Sequence, residues 1–226
     1  MKKLLSLLLI PAFLLSFAAC SGSGDDGSDD EEDTVYSAEE AARQHLMATF
    51  EGDVGKQYDF EILDNNIRSQ AFSDQAEANG ISSDEYYQKL SDDLNYKFNI
   101  PEDERLSVAN YNEFIAMTNI MTYTAKKEAY EETYGSYEII VEVSDETEMT
   151  ESDFNRYLPH IVNGIADFER QFSTDTGITE ENITKMVRMN FTVTIDGDEK
   201  SDSANGEILL AEVNGKWKVF KSDAQN

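Results

Sequence analysis

The chain of 226 residues carries one cysteine, one tryptophan, two histidines and three prolines. A lone cysteine forms no disulfide within the chain and no multi-cysteine metal site, so stability must come from packing. Basic residues are scarce as well: 18 Lys and Arg stand against 46 Asp and Glu, a formal charge of −28. Such a surface repels phosphate backbones, which argues against nucleic acid as a partner. Long apolar runs are few. The greasiest stretch, Leu4 to Phe17, is interrupted by Ser6, Pro11 and Ser16 and falls short of the roughly 20 residues a membrane-spanning helix needs. No Gly-x-Ser-x-Gly elbow, Walker loop or dinucleotide fingerprint occurs.

What is present begins at the N-terminus. Lys2 and Lys3, the apolar stretch and the small residues Ala18 and Ala19 have the layout of a secretory signal. The segment "FAAC" that closes it resembles the lipobox of bacterial lipoproteins, with Phe17 where an aliphatic residue is usual. The resemblance implies cleavage between Ala19 and Cys20, a diacylglycerol on the Cys20 sulfur, and a place on the extracytoplasmic face of a bacterial cell membrane. Two acyl chains suffice to hold a protein there, because each buried methylene contributes about 0.8 kcal/mol. From Ser21 to Asp33 the chain contains only Ser, Gly, Asp and Glu, seven of them acids. That composition predicts an extended, disordered tether. The ~17 residues from Cys20 to Tyr36 reach at most ~55 Å.

Residues 34–226 show no further linker and read as one domain. Ser37 with Glu40 opens a helix through His45 and Leu46 to Phe50, with Gly52 as its stop. A second helix is predicted from Gly55 to Ala78. Ser82 with Glu85 opens a third, with Tyr86, Leu90, Leu94 and Phe98 on one face before Pro101. Over 108–133 a long helix places Tyr111, Phe114, Ile115, Thr118, Met121, Ala125 and Ala129 near one face. The period then changes to two in "YEIIVEV". Phe154, Leu158, Ile161, Ile165, Phe168 and Phe172 predict an amphipathic helix kinked or restarted at Pro159, and Thr179 caps a short helix to about Val187. The strands "MNFTVTI", "EILLAEV" and "KWKVFK" end the chain as a meander, joined by the turn-rich "GDEKSDSANG" and by Asn214-Gly215. Helices first and strands last predict an α+β domain, the early helices packed on one face of a curved antiparallel sheet.

The ending "EILLAEVNGKWKVFK" and the opening "AEEAARQHLMATFEGDVGKQYDF" resemble nuclear-transport-factor-2-like domains, and the whole is similar to uncharacterised Gram-positive lipoproteins that carry such a domain behind a tether. The resemblance implies a cystatin-like cone with Ser144 to Met186 as a helix-containing insertion between strands. It implies no particular reaction, since members of that superfamily include enzymes, ligand binders and dimerisation modules.

Candidate chemistry is sparse. His45 and His160 lie on separate predicted helices, too few for a histidine-rich metal site. Asp196, Asp198 and Glu207 occupy the first, third and twelfth places of an EF-hand loop, but Lys200 and Ser201 stand where an oxygen ligand and a glycine belong. Trp217 with Val219 reads as a core anchor. No catalytic residue, metal site or cofactor is assigned. The expectation is a protein anchored through Cys20 whose domain binds a small molecule or an envelope protein; the alternatives are an envelope enzyme with a carboxylate base in the cone, or a spacer with no ligand.

Overall fold

The computed structural model describes residues 35–225, with side chains to Asp223. The signal-like segment, Ala19, Cys20 and the acidic stretch to Asp33 lie outside the described residues. Among the described residues six α-helices and five strands follow one another: α1 (Ala38–Glu51), α2 (Val54–Asp59), α3 (Asn65–Ala78), α4 (Ser83–Lys97), α5 (Tyr111–Tyr134), β1 (Tyr137–Val143), β2 (Thr147–Glu148), α6 (Glu151–Phe172), β3 (Ile183–Gly197), β4 (Ser201–Val213) and β5 (Lys216–Gln225). The class is α+β, as the order of periods implied. All pairings between named strands are antiparallel, in the order β1-β3-β4-β5, and β2 also pairs with β3.

Local chemistry sets most boundaries. Ser37 accepts a hydrogen bond from Glu40 N to start α1, and Gly52 ends it in the left-handed region at φ 88°. Ser82 and Glu85 make a complete capping box for α4. The Asn214-Gly215 turn has φ of 52° and 78°, so both residues are left-handed, as the tight β4–β5 hairpin requires. Helix α6 runs through Pro159 without a break. The proline sits on the exposed side, where water can replace the lost backbone bond.

Other boundaries differ from the sequence reading. The predicted helix from Gly55 to Ala78 is two helices, because Asp53 caps α2 and Asp64 caps α3. Between them Phe60 and Glu61 pair with β5: Val219 N donates to Phe60 O at 2.6 Å. Thr179 caps only a single 3-10 turn, Glu180–Asn182, after which β3 begins. The connection "GDEKSDSANG" is mostly strand, since the β3–β4 ladder runs on to Asp196 opposite Ser201. Ala125 and Ala129 are exposed, while Tyr130 and Tyr134 are buried, because the buried stripe of α5 drifts around a helix 24 residues long.

One face of the sheet is covered along its length, the other only at the end near Ile183 and Val213. On the first, Ala38, Ala41, Ala42 and Leu46 of α1 pack with Phe60 against Val187, Met189, Phe191, Val193, Ile208, Leu210 and Val219. On the other, Leu158, Ile161 and Ile165 of α6 meet Ile183, Met186, Ala211 and Val213. Of the early helices, α1 covers the middle of the sheet and the end of α5 reaches its margin, where Tyr130 and Tyr134 pack with Ile195. Helices α3, α4 and α5 build a separate core around Phe72, Tyr87, Leu94 and Phe114, joined by Phe168 and Phe172 from the end of α6. Trp217 is half-buried at the margin of the sheet core and Val219 is its buried neighbour, so the anchor role falls to Val219.

Gly206 sits where strands cross closely. A Cβ there would lie 2.3 Å from Asp223 O and 2.5 Å from Phe191 Cζ. Gly206→Ala is expected to lower unfolding free energy by about 1–3 kcal/mol through overpacking. Urea titration followed by circular dichroism checks it, and an unchanged midpoint would contradict the close approach.

Candidate functional site

A group of charged and polar side chains, two of them buried, meets where the break between α2 and α3 passes under α1. His45, 5% exposed, comes from the buried face of α1. Glu61 comes from the break itself, and Arg68 from the first turn of α3, held there by the Asp64 cap. Arg68 Nη2 lies 2.8 Å from Glu61 Oε2, and Arg68 Nε donates to Leu63 O at 2.6 Å. Its guanidinium carbon stands 3.7 Å from the centroid of the Tyr58 ring. Gln57 Nε2 donates to Glu61 Oε1 at 2.9 Å, with His45 Nε2 3.5 Å from the same oxygen. The Glu61 side chain keeps 23% of its exposure, so one edge of the cluster reaches solvent.

The electrostatics follow. Burial pushes the Glu61 carboxyl up, but the hydrogen bond with His45, the Arg68 charge and the Gln57 amide together outweigh it and hold the group below its ordinary value. Glu61 is therefore an anion at neutral pH and has no proton to donate. A carboxylate so neutralised is also a weak base. Its arrangement fits a clamp: Glu61 fixes the break, the break pairs with β5, and Lys218 on β5 reaches back to Asp59 O at 2.7 Å and Asp64 Oδ2 at 2.9 Å.

His160 is exposed on α6, so the two histidines are not brought together. The EF-hand-like residues are dispersed along a hairpin: Asp196 is in β3, Asp198 in the turn, and Glu207 on β4 with its Oε2 3.1 Å from Arg188 Nε. Among the described residues no group of three or more His, Cys, Asp or Glu is placed to hold a metal ion. No described helix is long and apolar enough to cross a membrane.

A second feature is a surface groove of about 610 Å³ between α5, the end of α1 and the start of β1, lined by Glu51, Tyr123, Lys127, Glu131, Tyr137 and Ile139 among others. Beneath this region three tyrosines stack edge to face, with ring centroids 5.4 Å apart for Tyr130 and Tyr137 and 6.1 Å for Tyr130 and Tyr134. Burial pushes the Tyr130 hydroxyl well above its ordinary value.

Sequence reasoning missed Glu61 and Arg68. A single Glu among 46 acids carries no signal; the available clue was "LDNN", an Asp followed by Asn residues, a helix N-cap inside a predicted helix. Compared with known proteins, the chain matches no family model, no curated protein and no solved structure.

Proposed function

We propose that this chain is a lipoprotein of the extracytoplasmic membrane face, anchored through Cys20, whose folded part is a variant cystatin-like cone that binds a ligand or protein partner in the envelope rather than catalysing a reaction. One observation carries the preference for binding. The sheet face that would form the wall of a cone is filled by Ala38, Ala41, Ala42 and Leu46, all at most 1% exposed, and the carboxylate beside it, Glu61, is paired with Arg68 and contacted by Gln57 and His45. An enzyme of the cone type needs an open pocket with a carboxylate free to accept a proton. The anchoring part is supported by the charged start, the apolar middle, Ala18, Ala19 and Cys20, followed by a polar spacer. The surplus of acids disfavours nucleic acid as the partner.

Cys20→Ala tests the anchor. In a bacterial host fed radiolabelled palmitate, the wild-type chain is expected in the membrane fraction with label, and the variant in the soluble extracytoplasmic fraction without it. Equal membrane association of the two, with neither labelled, would sink the anchoring claim. Native mass spectrometry of the purified chain then tests binding against catalysis, by asking whether a ligand is retained and leaves unchanged.

A further inference from the structure

β1 is an edge strand, paired with β3 and no other strand among the described residues. The phase of that pairing fixes which backbone groups are spare. Asp198 N donates to Ser136 O, and Ser144 N donates to Asn190 O. The residues of the same parity between them, Glu138, Ile140 and Glu142, therefore exchange their bonds with β3, and the alternate residues turn their N–H and C=O groups outward. Those are Tyr137, Ile139, Val141 and Val143. No helix, turn or loop among the described residues supplies them with a backbone partner. A row of such groups is a template for an added strand.

The charges around this edge are predominantly acidic. The groove beside its first half holds Glu51 and Glu131, opposed by Lys127 at 3.8 Å from Glu131. Burial, Tyr123, Glu131 and Glu51 all act to raise the pKa of the Tyr137 hydroxyl, so these groups converge on one place. On the opposite face of β1, Glu138 and Glu142 flank Ile140, which is 39% exposed. Tyrosine faces and carboxylates around unsatisfied backbone groups suit a cationic, extended chain.

We propose that β1 is the docking edge for an extended, lysine- or arginine-rich segment of another envelope protein, which pairs with Tyr137 to Val143 and sets its cations among Glu51, Glu131, Glu138 and Glu142. This rests on the binding reading above and gives the partner its chemistry. A second copy of the chain is the poorer occupant. A two-fold axis at Ile140 would set Glu138 opposite the copy's Glu142 twice, and like charges facing across a ladder are destabilising. The chain's own Ser21 to Asp33, with seven acids, meets the same repulsion.

The test is amide hydrogen exchange of the full chain in detergent micelles, with a capped alternating lysine–valine heptapeptide and its glutamate–valine counterpart. The basic peptide is expected to slow exchange at Tyr137, Ile139, Val141 and Val143 by about tenfold or more, an effect that fades in about 0.5 M salt. The acidic peptide should leave them unchanged. Val141→Pro removes one outward N–H without touching a bond to β3 and should abolish the protection while near-ultraviolet circular dichroism is retained. The double variant Glu138→Lys, Glu142→Lys should reverse the preference towards the acidic peptide. Unchanged exchange over 137–143, equal protection by both peptides, or a dimer already protecting β1 would each overturn the docking edge. Protection confined to another surface would do so too, yet leave the binding reading intact, and the Cys20 test is independent of all of these outcomes.

Discussion

Arg68→Met is expected to cost about 3–5 kcal/mol of unfolding free energy, the largest effect of any single substitution considered. The methionine fills much of the arginine's volume, but Glu61 is left as a charge without its guanidinium partner, in a site where burial already works against the charged form. Glu61→Leu alone is costly for the mirror-image reason, because it strands the Arg68 guanidinium at 8% exposure. The double variant should recover a large part of either loss, since a pair of apolar residues has no desolvation penalty to offset. A double-mutant cycle by urea unfolding reads this directly, and additive losses would show that the pair does not act as a unit. The pH dependence has a definite sign. The folded-state value of Glu61 lies below its ordinary 4.5, so the pair's contribution is complete above about 4.5 and is lost as pH falls through the folded value. Arg68→Met should flatten that acid limb.

Lys126 gives the second large effect, at the other end of the pH scale. Its ammonium donates to Thr49 O, one of the last carbonyls of α1, where a cation also suits the helix dipole. Burial nevertheless pushes it down from 10.5 to about 8. Between those values the unfolded chain binds the proton and the folded chain does not, so unfolding free energy rises with pH over this window. The full difference corresponds to about 3 kcal/mol. Above about pH 10 the slope reverses, because the folded state keeps the Tyr130 hydroxyl protonated while the unfolded chain lets it ionise. Lys126→Met should remove the rise between pH 8 and 10 and leave the reversal. Stability that falls steadily from pH 8 in the wild-type chain would refute the burial of the ammonium. Packing here is tight: a Cβ on Gly52 would meet Lys126 Cδ and Thr122 O, both at 3.1 Å.

The elements that were legible in the sequence are those whose signal is local. Ser82 with Glu85, Asn214-Gly215 and the alternation from Tyr137 to Val143 each specify their geometry within a few residues, and each is found. What escaped depends on partners far along the chain. The α2–α3 break, capped locally by Asp53 and Asp64, is held in place by the pairing of Phe60 and Glu61 with Val219, some 158 residues later, and helical periodicity cannot report that pairing. Residues Ser201 to Gly206 are polar enough to read as a loop, but the ladder bonds from β3 hold them as strand. The candidate site was hidden for the same reason. His45 was visible as a lone histidine, whereas its neighbours Glu61 and Arg68 become neighbours only when the break folds under α1.

The position of α1 has a consequence for how the molecule is made. Among the described elements, the helix that plugs the sheet is the first to be synthesised, and the strands that receive it, β3 to β5, are the last. Its apolar face must wait for nearly the whole chain, and loop-closure entropy makes such distant contacts late and slow. An incomplete chain therefore has a plug without a socket and cannot settle into the finished core, a useful delay for any polypeptide that has to pass through a narrow channel before it folds.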